Sequence, residues 1–292
     1  MLTENDEMKT ITLNAPAKVN LALDVTGKRE DGYHLLETVF QSVSIYDKLT
    51  ITITDEKGIN LTCSDSGLPC NEKNLAWKAA AAFLRETGLE CGFSIHLEKH
   101  IPSEAGMGGG SSDAASVLKG CNILCGEPVP FERLCAIAAS LGADVPFFLY
   151  GGTAYAEGIG DILTKLPSMP ELPMVAAKGK GGISTPEAYR RIDSLTDPVH
   201  PDAKGLRAAI EKGVPVNELW QYCGNLFEAV TDLDDVWNIR RTMEDMGAVF
   251  ACMSGSGAAV FGIFKDETTA EQCCALLKEK YPFAECCKMT EE

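Results

Sequence analysis

An α+β fold, with a layer of helices and a layer of sheet in each domain, is predicted by the order of strand and helix patterns along the chain. Runs of period two that are rich in β-branched residues predict strands, and apolar positions three and four apart predict helices. The 292 residues suit two domains or one large domain. Three prolines within residues 164–173 predict a domain crossing there.

The first half of the chain is predicted to begin with strands and to continue with helices. Apolar side chains alternate with polar or small ones in two runs, so residues 10–63 are expected to be β-rich. Pro146 is expected to keep Val145 out of the α region. The other predicted elements are a helix over 74–87 stopped by Gly88, a strand over 93–97, and helices over 112–121 and 131–141.

The second half is predicted to alternate between strands and helices. Its predicted elements are a strand over 174–177, helices over 186–193, 203–212, 217–231 and 235–246, strands over 248–252 and 258–264, a helix over 268–280 and a short final strand. No repeat and no low-complexity segment interrupts this order.

The composition excludes several classes of function. The formal net charge of −16 argues against binding to nucleic acid or to an anionic membrane, both of which require a basic face. No run approaches the ~18 uninterrupted apolar residues of a membrane span. The N-terminus is acidic and lacks the basic and apolar regions of a secretory signal, so a cytoplasmic protein is expected. The sequence carries no information on the oligomeric state.

Twelve cysteines suggest a disulfide framework or a zinc site, but their spacing does not support either. No Cys-x-x-Cys pair occurs, and the vicinal pairs at 273–274 and 286–287 cannot easily form ordinary bridges. Several cysteines lie within apolar helical patterns. Free and mostly buried thiols are therefore predicted.

The segment from Ile101 to Ala115 is the most informative stretch. Glycine admits positive φ and close approach of a ligand to the backbone, and a helix that starts directly after glycines directs unpaired N–H groups at one point. The pattern indicates a phosphate cradle, and a flexible turn capped by serine is the alternative. Its glycines and hydroxyl residues are Gly106, Gly108, Gly109, Gly110, Ser111 and Ser112. No lysine follows the last glycine, so it is not a Gly-Lys-Ser/Thr P-loop.

This loop resembles the phosphate loop of the GHMP small-molecule kinases, with Met107 in place of the usual leucine. Other segments resemble that family in the same order: Pro16-Ala-Lys-Val-Asn20, Asp31-Gly-Tyr-His34, Ala143-Asp-Val-Pro146, Ser184-Thr-Pro186 and Met253-Ser-Gly-Ser-Gly257. The resemblance implies a two-domain GHMP kinase fold. A ribosomal-S5-like N-terminal domain, residues 1–165, would carry the phosphate loop and the catalytic residues. A ferredoxin-like C-terminal domain, residues 166–292, would follow, with the active site in the cleft between the domains.

The resemblance also assigns the catalytic residues. Lys18 alone, in an otherwise apolar strand, is more simply a surface lysine, and Asp144 alone is a solvated acid in a turn. The family match makes Asp144 the general base and Lys18 the cation that orients it and stabilises developing negative charge. It makes Asn20 a substrate contact. The 253–257 segment, which alone could be a hairpin turn, would support the phosphate end of the site.

The segment around Tyr33 and His34, alone only a hairpin bend, points within the family to the branch that phosphorylates a cytidine-diphosphate-linked methylerythritol. The match implies that Tyr33 and Tyr189 stack on the cytosine, that His34 reads its edge and that Thr185 bonds the substrate. It places Asn74 and Lys99 near the base and ribose of ATP, and Pro102 with the glycine loop at the phosphates.

The expected activity is therefore transfer of phosphate from ATP to the 2-hydroxyl of this alcohol, a step of the non-mevalonate isoprenoid pathway. ATP is the implied cofactor, with Mg²⁺ held by phosphates and water, because no dedicated carboxylate cage is evident in the sequence. A GHMP kinase for another alcohol, and a catalytically silent nucleotide-binding regulator, remain alternatives. A silent regulator would need neither Lys18 nor Asp144.

Overall fold

The computed structural model describes residues 9–291, which form eleven strands and eight α-helices within that range. The chain divides into two compact units. Within the described range, the first consists of residues 9–16, Tyr46–Ile101 and Gly109–Leu149, and the second of Ala17–Ile45, Pro102–Gly108 and residues 150–291. Two long strands, β1 (Thr10–Lys28) and β2 (His34–Thr54), contribute residues to both units.

The first unit packs helices against a small sheet. Strand β4 (Gly92–Glu98) pairs in parallel with β3 (Gly58–Cys63) and antiparallel with β2. Its helices are α1 (Leu75–Thr87), α2 (Gly109–Leu124), α3 (Phe131–Leu141) and α4 (Val145–Tyr150), of which α1 packs on α2 and α3. The Phe83 and Phe93 rings meet edge to face at 6.1 Å, so the helical layer and the strand share one apolar core.

The second unit contains two sheet regions. Strand β5 (Thr153–Glu157) pairs with β2 and with β6 (Ile162–Lys165), and the short β8 (Gly224–Asn225) pairs in parallel with β1. A four-stranded antiparallel sheet has the order β11 (Phe283–Lys288), β7 (Pro173–Lys178), β10 (Ala259–Ile263), β9 (Phe250–Met253). The α-helices of this unit are α5 (Thr185–Ile192), α6 (Ala203–Glu211), α7 (Asp234–Asp245) and α8 (Glu267–Lys278), and both α7 and α8 pack on the four-stranded sheet.

Most predicted elements are confirmed within one to three residues. The helix over 131–141 has the predicted bounds, and Gly88 ends α1 in the left-handed conformation with φ 65°. The helix predicted to start at 112 starts at Gly109. The expectation for Val145 was wrong, because Val145 begins α4 and Pro146 lies in its first turn, where the missing N–H costs no hydrogen bond.

The helix predicted over 217–231 was also wrong. That segment consists of three short 3₁₀ turns, Val216–Glu218, Trp220–Tyr222 and Leu226–Val230, separated by strand β8. Gly224 has φ 156°, which an α-helix does not admit, and Asn225 pairs with Leu23 of β1. The sequence patterns did not predict β5, β6 or α4. The domain boundary predicted at 165–166 stays a prediction. In the division into compact units, residues 150–291 all belong to the second unit.

Candidate functional site

The glycine loop leads directly into the first turn of α2. Gly106 and Gly108 have φ of 70° and 74°, the left-handed region that glycine adopts without strain. Helix α2 begins at Gly109, so the N–H groups of its first four residues have no acceptor within the helix. This arrangement is a ready anion site, because the positive end of the helix dipole lies at the same place.

Gly109 does not have the positive φ that a cradle glycine was expected to have. It is helical, and its glycine identity has another cause: a Cβ there would lie 3.2 Å from Nζ of Lys99 and 3.1 Å from Ile101. Ser111 is half-buried, whereas Ser112 is buried and its hydroxyl has no hydrogen-bond partner. A buried hydroxyl without a partner at a helix start is a position where a ligand oxygen or a cation would satisfy it.

A second glycine-rich turn lies against the glycine loop within the second unit. A Cβ on Gly106 would lie 2.0 Å from the carbonyl oxygen of Ser254, and one on Gly255 would lie 2.9 Å from Cα of Gly106. The Ser254 hydroxyl donates a hydrogen bond to the Gly106 carbonyl oxygen at 2.9 Å. The 253–257 segment therefore lies directly against the glycine loop, and side chains at these two glycines would prevent this close approach.

Lys18 is buried at the junction of these two turns. Its Nζ donates to Oδ1 of Asn20 at 2.6 Å and to the Gly106 carbonyl oxygen at 2.7 Å, and it lies 5.3 Å from the centre of the Phe40 ring. Asn20 also accepts the Gly255 N–H at 3.0 Å and donates to the Thr38 hydroxyl at 2.8 Å. Asn20 therefore holds Lys18 in place, whereas its predicted role as a substrate contact stays a prediction.

Lys99 forms a buried ion cluster inside the first unit. Its Nζ donates to Asp47 and, at 2.8 Å, to Asp113, while Asp47 also accepts the backbone N–H groups of His100 and Ile101. Burial alone would lower the pKa of Lys99, but the two carboxylates outweigh it and raise that pKa. Burial raises the pKa of Asp113 to about 7, and Oδ1 of Asp113 has no hydrogen-bond partner. These bonds account for the Lys99 ammonium, and its predicted contact with ATP stays a prediction.

Asn74 and Pro102, two further predicted nucleotide contacts, occupy defined places in the chain. Asn74 is the N-cap of α1: its side-chain oxygen accepts the Ala76 N–H at 2.9 Å and its amide donates to the Pro69 carbonyl oxygen at 2.9 Å. Pro102 is half-buried in the turn before Gly106. The cap explains Asn74 as a structural residue, and neither nucleotide contact is tested by these observations.

Asp144 lies in the turn that joins α3 to α4, within the first unit. Gly142 ends α3 in an extended conformation, the Val145 N–H bonds the Gly142 carbonyl oxygen at 3.2 Å, and Asp144 is half-buried. Asp144 thus lies outside any regular element, directly before the first residue of α4. Its role as general base stays a prediction.

The residues predicted to bind the cytosine lie around the hairpin turn between β1 and β2. The His34 ring stacks on Tyr189 with centroids 4.4 Å apart and planes 14° apart, and Nε2 of His34 lies 2.7 Å from Asp193. Asp193 also accepts from Lys28, and the hydrogen bonds from Lys28 and His34 lower the pKa of its carboxyl. Tyr33 is 60% exposed at the turn. The structure thus brings His34 and Tyr189 together, and a Tyr33–Tyr189 sandwich stays a prediction.

Thr185 begins α5, where its hydroxyl lies 3.1 Å from that of Ser256. This contact ties the start of α5 to the second glycine-rich turn. The site residues that the sequence did not indicate are Asp47, Asp113, Asp193 and Asn225. Each is a single polar residue in an ordinary pattern, and only the tertiary fold reveals its partner.

No group of three or more His, Cys, Asp or Glu residues that could hold a metal ion occurs within the described range 9–291. No helix within the same range is long and apolar enough to cross a membrane.

Comparison with known proteins decides the family. The family model of the GHMP kinases N terminal domain matches residues 74–152, and that of the GHMP kinases C terminal domain matches residues 215–282. A 4-diphosphocytidyl-2-C-methyl-D-erythritol kinase of Lachnospira eligens is 42% identical over 94% of this chain and 95% of its own length. The chain belongs to the GHMP kinase family.

Further GHMP kinases support this assignment. A kinase of the same name from Clostridium acetobutylicum is 40% identical over 93% of this chain and 97% of its own length. A crystal structure of 4-(cytidine 5'-diphospho)-2C-methyl-D-erythritol kinase superposes with a TM-score of 0.81 at 34% identity, over 96% of this chain and 99% of that chain. Homoserine kinase from Cytophaga hutchinsonii, at 20% identity and TM-score 0.77, shares the fold. The two-domain GHMP kinase fold, with ATP as phosphate donor, is confirmed.

Proposed function

We propose that this GHMP kinase transfers the γ-phosphate of ATP to the 2-hydroxyl of 4-diphosphocytidyl-2-C-methyl-D-erythritol, a step of the non-mevalonate pathway to isoprenoid precursors. The observation that carries the proposal is the 42% identity to a kinase of that name over 94% of the chain. The glycine loop, with Lys18 bonded to its Gly106 carbonyl oxygen, agrees with it, because phosphoryl transfer requires a phosphate cradle and a nearby cation.

In this proposal the phosphates of ATP lie against the glycine loop and the first turn of α2. Gly106 and Gly108 permit the backbone to approach them, and the N–H groups at Gly109, Gly110 and Ser111 donate to their oxygens. Mg²⁺ accompanies the nucleotide, with ligands mainly from phosphate and water, and it supplies neutralisation of phosphate charge. The Ser112 hydroxyl at the helix start, which is buried and has no hydrogen-bond partner, would supply one protein ligand to this ion.

The reaction forms a bond from the substrate oxygen to the γ-phosphorus as the bond to the β–γ bridging oxygen breaks. Asp144 accepts the proton of the 2-hydroxyl, and ADP leaves with the electron pair of the broken bond. Lys18 supplies positive charge where negative charge develops. The hydrogen bonds from Lys18 to Asn20 and Gly106 support this role, because they fix the ammonium before the substrate arrives.

The cytidine end of the substrate is proposed to lie at the turn of Tyr33 and His34. Tyr33 and Tyr189 would stack on the base, His34 would read its edge and Thr185 would bond the substrate. The stacked His34–Tyr189 pair supports this placement, since it brings two of the predicted residues together. Tyr33, the residue before His34, is 60% exposed. Stacking of one base on an aromatic ring contributes about 1–3 kcal/mol.

We also propose that the protein works in the cytoplasm, on a small molecule and apart from membranes and nucleic acid. The twelve cysteines are all free thiols, which suits a reducing compartment. The net charge of −16 disfavours polyanionic partners.

A panel of alcohols tests the proposed function. Purified enzyme with ATP and Mg²⁺ should release ADP with the cytidine-linked substrate and should act poorly on its uridine-linked analogue, on mevalonate and on homoserine. The phosphorylated product, identified by mass spectrometry and ³¹P NMR, should carry the new phosphate on the 2-hydroxyl. The Asp144→Asn variant, in the same assay, should lose about 10²–10⁴-fold in turnover while it retains ATP binding by calorimetry.

The panel also separates the rivals. Equal use of the cytidine and uridine compounds, or preference for another alcohol, would identify a different GHMP kinase. ATP binding without phosphoryl transfer to any alcohol would identify a silent nucleotide-binding regulator. An Asp144→Asn enzyme with activity within a few-fold of the unaltered one would remove Asp144 as the base.

A further inference from the structure

Asn225 is a buried polar residue that the proposed mechanism does not use. It lies on the two-residue strand β8, 6% exposed, and its backbone pairs with Leu23 of β1, the strand that also carries Lys18 and Asn20. Both ends of its side-chain amide are bonded, so its orientation is fixed.

The amide nitrogen of Asn225 joins two carbonyl oxygens of the second glycine-rich turn. Nδ2 donates to Met253 at 2.7 Å and to Gly255 at 2.8 Å, while Oδ1 accepts the Phe227 N–H at 2.9 Å. One side chain therefore clasps the turn at its first residue, Met253, and at its first glycine, Gly255. Gly255 has φ 57°, in the left-handed region that glycine adopts without strain.

The second glycine-rich turn also holds Asn20, the residue that fixes Lys18. The Gly255 N–H donates to Oδ1 of Asn20 at 3.0 Å, and the same oxygen accepts Nζ of Lys18 at 2.6 Å. The Ser254 hydroxyl and Lys18 both donate to the Gly106 carbonyl oxygen. A shift of the turn would therefore move Oδ1 of Asn20 and the Gly106 carbonyl oxygen, which both accept from the Lys18 ammonium.

We propose that Asn225 is a positioning residue of the phosphoryl-transfer site: by clasping residues 253–255 it holds Gly255 against Asn20 and thereby sets the position of the Lys18 ammonium. This inference rests on the proposed function only for its kinetic consequence. The positioning itself is a property of the folded chain without substrate.

The consequence for the reaction follows from where Lys18 acts. A cation that meets charge developed in the transition state affects turnover more than it affects ground-state binding. Misplacement of such a group by a fraction of an ångström to 1 Å costs up to about 10²-fold in rate. Loss of the clasp should thus appear in kcat, with the KM for ATP and for the alcohol changed little.

The test uses Asn225→Ser, with Asn122→Ser as a matched control. Serine can still accept the Phe227 N–H as an N-cap, so the variant loses the two amide donors and keeps the cap. Asn122 is similarly buried and also bonds the backbone through both ends of its amide, to Val129 at 3.0 Å each, within the first unit. The two variants should lower the melting temperature by similar amounts.

Asn225→Ser should lower kcat by about tenfold or more with both KM values within about threefold, whereas Asn122→Ser should leave kcat within about twofold. In parallel, ¹H–¹⁵N spectra should show the Gly255 amide shifted and its hydrogen exchange at least tenfold faster in Asn225→Ser alone. Unchanged kcat per folded molecule, or an equal loss of kcat in the control, overturns the inference.

The spectra separate this inference from the proposed function. If the unaltered enzyme phosphorylates a different alcohol, or none, the proposed function fails while the Gly255 exchange still decides the positioning. A Gly255 amide that exchanges equally slowly in both proteins overturns the positioning whatever the substrate is. If Asn225→Ser does not fold, Asn225→Asp provides the same comparison: its protonated carboxyl regains one donor, so its kcat relative to the unaltered enzyme should rise as pH falls, and a flat ratio overturns the inference.

Discussion

Lys18 and Lys99 both have largely buried side chains, and the acceptors that the structure shows for them differ in charge. Lys18, in the second unit, donates to a neutral amide oxygen and to a neutral carbonyl oxygen. Lys99, in the first unit, donates to the carboxylates of Asp47 and Asp113. The difference shows that burial and sequence pattern alone do not reveal to which kind of group a lysine donates.

In the Lys99 cluster the ammonium is paired with two carboxylates, and we expect this pairing to affect the stability of the fold. Taking three ionic groups out of water is expensive, and the arrangement is tolerated because Lys99 lies between the two acids and backbone N–H groups satisfy Asp47. Loss of the cation would leave two buried carboxylates facing one another. The comparison therefore predicts that loss of Lys99 lowers the stability of the protein, whereas loss of Lys18 lowers its turnover.

The largest effect is expected for Lys99→Met. The free energy of unfolding should fall by about 3–5 kcal/mol, because the change leaves uncompensated buried charge. Urea denaturation measures it. Lys48→Met is the control: Lys48 lies 3.4 Å from Glu98 in an exposed pair, and its loss should cost at most about 1 kcal/mol.

A second substitution sharpens the Lys99 result. Adding Asp113→Asn to Lys99→Met removes one of the two facing charges, so part of the lost stability should return. A Lys99→Met protein that is as stable as the control, but binds ATP more weakly, would show that Lys99 serves the nucleotide and not the fold.

The next effect is expected for Lys18→Met, which nearly preserves the length of the side chain and removes its charge. We expect kcat to fall by about 10²–10³-fold, the usual cost of one donor that stabilises transition-state charge. A discontinuous assay of ADP release measures kcat, and urea denaturation of the same preparation measures stability. A loss of stability as large as that of Lys99→Met, with kcat per folded molecule retained, would reverse the assignment of the two lysines.

The smallest effect is a pH dependence of stability that Asp113 produces. Burial raises its pKa to about 7, whereas the unfolded chain has about 3.9. The folded protein thus retains a proton that the unfolded chain has lost, and stability present below about pH 4 is lost as pH rises through 7. Asp113→Asn does not titrate, so its melting temperature relative to the unaltered protein should rise between pH 5 and pH 8.

That rise should reach at least about 2 °C, the shift that ~1 kcal/mol produces in a protein of this size. Differential scanning calorimetry of both proteins across the range measures it, and the other titrating groups cancel in the difference. A difference that does not change with pH would show that Lys99 keeps Asp113 ionised throughout, against burial and the neighbouring Asp47 carboxyl.

Sequence reasoning succeeded where local chemistry decides the structure. Gly88 ends α1 because only glycine readily adopts its left-handed conformation, and the glycines before α2 mark the helix start. It failed over 217–231, where the apolar spacing resembles a helix but Asn225 pairs with β1 and turns its amide to residues 253 and 255. Those contacts join distant segments, and no local pattern contains them.

The same distinction applies to the site. Lys18, Asp144 and the glycine loop were predicted as site residues because short motifs contain them, whereas the acceptors that hold Lys99 were not predicted. Asp47 lies 52 residues from Lys99 along the chain and has no motif around it. Interactions of this kind belong to the tertiary fold, where burial gives an ordinary aspartate its consequence.

The surroundings of Lys18 have a consequence for synthesis of the chain. Its ammonium is held by Gly106, 88 residues later, and by Asn20, whose oxygen also binds Gly255, 235 residues further on. Contacts of such sequence separation form late, because a long loop must close before they contribute. A nascent chain therefore carries Lys18, the glycine loop and Asp144 long before the last turn emerges from the ribosome. Only near completion does it acquire the clasp, so an incomplete product has the residues of the proposed site without their arrangement.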